Sequence, residues 1–279
     1  MINFNGTIVT QDTNILTQNR AFLYGDAVFE TIKIIDGKIL FLEDHYFRLM
    51  SSMRVVRMEI PMYFTMEYLE EQMLTLSKAN GCIDSSRIRI TVFRNDGGYY
   101  LPHTNDVSFL IHVSPIADKL YSFEKAIYEV DLFKDFYITK QLLSSIKTTN
   151  RMLNITASVY AHENGLDNCL LLNDTKNVVE AIQGNIFMVV GHKLITPPVS
   201  EGCLNGVMRK QVLSLAKKIH SLEVVEEIIS PFDLQKADEL FVTNVIKGIQ
   251  SITKYRKKEF NDVIASELLL KLNNFITAN

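Results

Sequence analysis

The spacing of apolar positions along the chain switches between a period of two and a period near 3.6. In "SSRIRITVFR" (85–94) apolar and polar residues alternate, with Ile88, Ile90 and Val92 on one face and Arg87, Arg89 and Thr91 on the other. That pattern predicts a strand with one covered face. "AVFETIKIIDGKILFLEDH" (27–45) predicts two strands joined at the Asp36–Gly37 turn. Met66, Leu69, Met73 and Leu76 recur at helical spacing, and Gly81 follows as a stop signal. Further on, "NCLLLN", "VVEAIQ", "NIFMVV" and "KLITPP" predict a meander of short strands. Met208, Val212, Leu215, Ala216 and Ile219 then form a helical stripe. "SPFD" (230–233) predicts a later helix, with Ser230 as cap, Pro231 at the first position and Asp233 at the positive end.

Strands and helices intermixed, without repeats or low-complexity tracts, predict an α/β (α+β) fold. At 279 residues the chain has room for two domains. The turn-prone stretch 114–123, "SPIADKLYSF", is the expected connection, giving domains of 1–117 and 118–279. Apolar residues make up 47% and charged residues 22%, ordinary for a globular protein. A net charge of -3 gives no reason to expect nucleic acid or an acidic membrane, and "KYRKK" (254–258) reads as a solvated face. No run of about 18 apolar residues predicts a membrane span. The start lacks a signal-peptide pattern, and Cys82, Cys169 and Cys203 lack redox or metal spacing, so a cytoplasmic protein without a metal is expected.

Several chemistries lack their motifs. The six histidines never fall at HExxH spacing, and GxGxxG, GxxxxGK[ST] and GxSxG patterns are absent. Three less generic features remain. Lys147 stands among small polar residues in "SSIKTTNR" (144–151), where a solvated strand-end lysine is the plain alternative. Glu180 sits in the apolar "VVEAIQ", where desolvation costs free energy unless a donor or cation meets the carboxylate, or unless its side faces water. "EGCLNGVMR" (201–209) runs through Gly202 and Gly206 into a helix whose first N–H groups could receive a phosphate. A lysine amine for a Schiff base, a carboxylate for a pyridine nitrogen and a phosphate cradle are together the protein-side needs of pyridoxal 5'-phosphate.

At these residues the chain resembles the class IV aminotransferases, the fold type IV pyridoxal-phosphate enzymes. They include branched-chain and D-amino-acid aminotransferases and 4-amino-4-deoxychorismate lyase. The resemblance runs in order through "LYGDAVFET" (23–31), "EDHYFRLMSS" (43–52), "IKTTNR" (146–151), "VVEAIQGNIFMV" (178–189), "LITPPVSEGCLNGVMR" (194–209) and "ADELFVTN" (237–244). It implies a smaller N-terminal α/β domain and a larger C-terminal domain with a meandering, barrel-like sheet.

By this resemblance Lys147 forms the Schiff base and moves the proton at the substrate Cα, and Glu180 pairs with the pyridine nitrogen. Arg48, the backbone of Val207 and Met208, and the "TN" segment at Asn244 belong to the phosphate side. Tyr24, Phe29 and Thr31 line the substrate side, and Arg94 with Tyr99 falls in the segment that handles a substrate carboxylate. The tyrosine equivalent to Tyr24 commonly reaches across from a second subunit, which implies a homodimer. Three positions depart from the pattern: Met208 and Val245 replace hydroxyl residues, and Arg151 stands where branched-chain enzymes carry tyrosine. Two lost neutral hydrogen bonds imply a weakening of about 1 kcal/mol each, which the charge of Arg151 offsets. Thr31, which would be catalytic there, with "KTTNR" and "TN" (243–244), leans toward the lyase, which forms 4-aminobenzoate and pyruvate, while "RNDGGYYLP" (94–102) fits branched-chain or D-amino-acid transfer to 2-oxoglutarate. A binding-only member would need neither Lys147 nor Glu180.

Overall fold

The computed structural model describes residues 1–10, 18–123 and 127–278. Contacts divide the chain into two units, the first of residues 1–119 with 146–150, the second of 120–145 with 151–279.

The first unit is built on an antiparallel sheet of β1 (Ile2–Phe4), β2 (Thr7–Val9), β3 (Ala27–Ile35), β4 (Lys38–Ile39), β5 (Ser85–Arg94) and β6 (Val107–Pro115), in the order β2-β1-β6-β5-β3-β4. Its helices are the short α1 (Arg20–Tyr24), α2 (Leu42–Val55) and α3 (Met66–Ala79). The β3–β4 turn uses Asp36 and Gly37, both at positive φ (49° and 74°), the combination a tight right-twisted hairpin requires. Alternation along β5 is realised as expected: Ile88, Ile90 and Val92 are buried in one core with Val28, Ile32 and Ile34 of β3 and with Leu49, Met53, Leu69, Met73 and Leu76 of the helices. Phe29 and Thr31, paired in register with Thr91 and Arg89, therefore fall on the opposite face.

The second unit holds β7 (Glu129–Ile138), α4 (Leu142–Ser145), α5 (Met152–Glu163), β8 (Asn168–Asn173), β9 (Val178–Ala181), β10 (Gly184–Val190), β11 (Lys193–Thr196), α6 (Val207–Ala216), β12 (Glu223–Glu226), β13 (Glu239–Asn244), β14 (Gly248–Ile252), β15 (Lys254–Tyr255), β16 (Lys258–Glu259) and α7 (Val263–Ala278). The strands follow the path β12-β11-β10-β9-β8-β7-β15-β16, with β13 branching from β10 to β14. Every residue of "NCLLLN" is buried, because both faces of β8 are covered. Leu170 and Leu172 enter one core, Cys169 and Leu171 another with Ala157 and Ala161 of α5.

The helix expected at "SPFD" does not form. Asp233–Gln235 make a single 3₁₀ turn, held where Ser230 Oγ accepts from the Phe232 N–H (3.3 Å) and Asp233 Oδ2 accepts from the Ser230 N–H (3.1 Å). The capping chemistry is real, but Leu234 and Ala237 are already buried and β13 starts at Glu239, so no second turn has room to grow. The last helix, α7, is capped from a distance: the Glu239 carboxylate accepts from the N–H groups of Ile264 and Ala265 at 2.9–3.0 Å. Among the described residues no helix is long and apolar enough to cross a membrane.

Candidate active site

Lys147 is positioned by backbone pairing with β3. Val28 and Thr148 oppose each other antiparallel, the Phe29 N–H donates to the Lys147 carbonyl at 2.8 Å, and the Thr149 N–H donates to Ala27 O at 3.0 Å. This register sets Lys147 on the face of Phe29, and its Nζ lies 4.5 Å from the centre of the Phe29 ring. The guanidinium carbon of Arg89 lies 3.7 Å from the same ring. Thr31 is the register partner of Arg89. A primary amine, a guanidinium, an aromatic ring and a hydroxyl residue are thus gathered on one sheet face. The amine can act as nucleophile or base, and the guanidinium can receive a carboxylate.

Arg48 is held on the other, helix-covered face. Its Nε donates to Glu30 Oε1 (2.7 Å) and its Nη2 to Glu30 Oε2 (2.5 Å), while His45 Nδ1 lies 2.8 Å from that same oxygen. Burial raises the Glu30 pKa, but the positive Arg48 and the bonds from His45 and Arg48 prevail and hold it at about 2. Burial pushes the His45 imidazole pKa below its ordinary value, against the pull of the Glu30 carboxylate.

Arg94, expected at a substrate carboxylate, is instead engaged inside the first unit. Its guanidinium donates to Asp26 (3.0 Å), to the carbonyls of Val56 (2.7 Å) and Arg57 (3.1 Å), and to the side chain of Asn105. Arg20 works alongside it, bonding Asp26 (2.8 Å) and the carbonyls of Gly97 and Tyr99 (2.9 and 2.7 Å). Arg20 thereby fastens the 97–99 loop, in which Tyr99 is 83% exposed. Tyr24 ends α1, with Arg20 over its ring at 5.0 Å and Tyr100 at 6.0 Å.

In the second unit, Glu180 is 6% exposed on β9, where every residue is buried. Its Oε2 accepts from the Leu204 N–H at 2.8 Å, and its register partner Asn185 donates Nδ2 to the Leu204 carbonyl at 2.8 Å. One residue of the loop, Leu204, is thereby held through both its N–H and its carbonyl. Gly206 follows, and an added Cβ there would come within 2.0 Å of Asn185 Oδ1, so the glycine is required by close approach. Gly206 is the N-cap of α6 and makes no side-chain cap bond, which leaves the first turn of α6 to other acceptors. Val207 and Met208 open that turn, with Met208 fully buried. Asn244 Oδ1 instead accepts from the N–H groups of Ile246 (3.0 Å) and Lys247 (2.8 Å), and Val245 gives its carbonyl to the Tyr121 hydroxyl at 2.6 Å. Arg151 precedes α5 as its N-cap. Burial, assisted by the negative Glu180, pushes the Cys203 thiol up to about 12, so it supplies no thiolate.

A family model for class IV amino-transferases matches residues 27–255, which span both units. This chain belongs to that family. Class IV aminotransferases are enzymes that work with pyridoxal phosphate, and the chain is one of them.

A protein of Methanocaldococcus jannaschii named as a branched-chain-amino-acid aminotransferase is 31% identical over 97% of this chain and 93% of its own. A D-alanine aminotransferase of Staphylococcus epidermidis is 25% identical over 92% of this chain and 90% of its own. Among solved structures, the branched-chain aminotransferase of Thermoproteus uzoniensis with norvaline superposes with a TM-score of 0.87 at 23% identity, over 99% of this chain and 93% of that one. The 4-amino-4-deoxychorismate lyase of Pseudomonas aeruginosa superposes with a TM-score of 0.83 at 21% identity, over 98% of each. These two structures establish the fold.

The residues present fit the cofactor of this family. A close-approach glycine and an α6 terminus without a side-chain cap suit a phosphate, and a buried carboxylate at Glu180 suits a ring nitrogen. Sequence reasoning missed Arg89 and Asn185. The signal for Arg89 is its place on the alternating face with Thr91, which period alone marks only as polar. Asn185 announces itself as an amide inside an apolar strand.

Proposed function

We propose that this aminotransferase-family enzyme transfers a proton at the Cα of an amino-acid-like substrate, with Lys147 as the group that carries it. Lys147 would hold pyridoxal phosphate covalently, Glu180 would keep its ring nitrogen protonated, and the first N–H groups of α6 at Val207 and Met208 would take its phosphate. The cofactor supplies a protonated ring that accepts the electrons released at Cα. Arg48, braced by Glu30, is the further candidate for the phosphate. Beside Lys147, Phe29 offers an apolar wall and Arg89 a receptor for a carboxylate, with Tyr24 completing the substrate side. The observation that carries this reading is the Lys147–Phe29–Arg89 arrangement, in which a lysine amine and a carboxylate receptor both lie against one aromatic ring.

Of the reactions carried out by relatives, the substrate-side residues favour the 4-amino-4-deoxychorismate lyase reaction, which releases 4-aminobenzoate and pyruvate. Thr31 supports it, because its register with Arg89 sets a hydroxyl residue on the face of Phe29 and Lys147. The second reading, amino transfer from a branched-chain or D-amino acid to 2-oxoglutarate, is favoured by the named relatives at 31% and 25% identity. A panel of aminodeoxychorismate, L-leucine with 2-oxoglutarate, and D-alanine with 2-oxoglutarate separates the three. The same reading takes the enzyme to be a cytoplasmic homodimer. Its support is the set of free, buried cysteines and a stripe of exposed apolar residues on α5, Met152, Ile155 and Val159, with Leu142 and Leu143 on α4.

A further inference from the structure

The loop that enters α6 is fastened at three points to the chain segment preceding Lys147, and the proposed reaction uses none of the residues involved. Glu201 Oε1 meets Lys140 Nζ at 2.7 Å, while its Oε2 accepts from Asn173 Nδ2 at 2.8 Å and Asn177 Nδ2 at 3.4 Å. Gly202 has φ +96°, and an added Cβ would sit 3.0 Å from the Thr139 carbonyl, so the two backbones pass in close contact. The Asn205 N–H donates to Ser145 O at 3.2 Å. Residues 139–145 run directly into Ile146 and Lys147.

A solvated ion pair would add little here, but the Glu201 side chain is 7% exposed against 31% for Lys140. Burial raises the Glu201 pKa, yet the bonds from Lys140, Asn173 and Asn177 bring it below the ordinary carboxylate value. A buried charge of this kind is tolerated only while its partner stays in place. Asn173 adds to the hold by donating also to the Glu201 carbonyl at 3.1 Å, which fixes the backbone as well as the side chain.

We infer that Lys140 and Glu201 are a positioning pair that locks the 202–206 loop in register with the segment entering Lys147. The inference rests on the cofactor reading above, in which that loop delivers the α6 N–H groups to a phosphate. Loosening the pair shifts those N–H groups, so the loss should fall on the phosphate rather than on the cofactor as a whole.

The test compares binding of pyridoxal phosphate and of pyridoxal, which lacks the phosphate, by absorbance titration of the apoprotein. Lys140→Met should weaken pyridoxal phosphate by about tenfold or more and leave pyridoxal within about twofold, and Lys140→Arg should restore the wild-type preference. Glu201→Gln provides a second, nearly isosteric variant, and apoprotein melting temperatures identify any that fail to fold. Equal affinities in Lys140→Met and wild type overturn the inference. Parallel losses for both ligands, together with a lower melting temperature, also overturn it, because they mark general packing. A wild-type protein that binds neither ligand overturns the cofactor reading itself, and the inference with it.

Discussion

Glu180 and Leu204 are joined by a hydrogen bond from the loop N–H to Oε2 at 2.8 Å, which ties the buried carboxylate of β9 to the loop that opens α6. The carboxylate therefore has two separable properties, an acceptor for the loop and a negative charge for a ring nitrogen. Glu180→Gln keeps the acceptor and removes the charge. We expect that variant to fold, to bind the cofactor near wild-type affinity, and to lose about 10²-fold or more in turnover. Glu180→Ala should lose affinity as well, since the Leu204 N–H is left without its acceptor. Titration of cofactor absorbance beside steady-state kinetics reads both effects, and full turnover in Glu180→Gln would reduce Glu180 to a loop anchor.

The pairing of 146–150 with β3 directs Lys147 to Phe29, whose ring Arg89 also meets. Borohydride reduction of the cofactor-loaded protein, followed by peptide mapping, should place the pyridoxyl label on Lys147 alone. A neutral amine is needed for that bond, whereas a free lysine has a pKa of about 10.4. Label on Lys140 or Lys210 instead would sink the assignment.

Much of this was legible in the sequence, and the reasons it stopped are specific. Alternation gave β5 its faces and the helical stripe gave α3 its buried residues, because each pattern reports a single covered side. Arg94 shows the limit. A guanidinium fork fits a substrate carboxylate or a buried Asp26 equally well, and only distance in the folded chain decides which it meets. Nothing local marks Arg89 as more than a polar-face residue, because Lys147 reaches the same Phe29 ring through a long-range strand pairing that no local period encodes. "SPFD" failed for the opposite reason, since one 3₁₀ turn and a full helix share the same capping residues.

The buried Glu30–Arg48 pair should register in stability and in its response to acid. Glu30→Ala leaves Arg48 without its carboxylate and should cost on the order of 3–5 kcal/mol. The Glu30 pKa falls from 4.5 to about 2 on folding, so between those values the unfolded chain binds the extra proton. Its contribution is complete above pH 4.5 and is lost as pH falls toward 2. Melting curves of wild type and Glu30→Gln should therefore converge as pH is lowered through that range, and a constant gap would contradict the pairing.

The apolar stripe on α5 makes the homodimer testable without touching Lys147 or Glu180. Ile155→Glu with Val159→Glu places two charges on a surface that would be desolvated in a dimer. Light scattering after size exclusion should show the wild type at twice the chain mass and the double variant at one. A wild-type monomer, or a variant dimer, removes the stripe from the interface.

Thr31 decides between the two reactions. It lies on β3 opposite Arg89, half-buried, on the face that carries Phe29. If its hydroxyl passes a proton after pyruvate leaves, Thr31→Val should depress aminodeoxychorismate turnover by about 10²–10⁴-fold, the range for a general acid or base. Valine keeps the shape and the β-branch, so packing alone predicts little change. Thr31→Ser retains the hydroxyl and should recover most of the lyase activity. Transamination of L-leucine, where measurable, should be indifferent to both substitutions, because the proton taken and returned by Lys147 needs no hydroxyl at residue 31. A Thr31→Val enzyme with intact lyase turnover, or a wild type that transaminates L-leucine briskly and releases no 4-aminobenzoate, hands the chain to the aminotransferase reading.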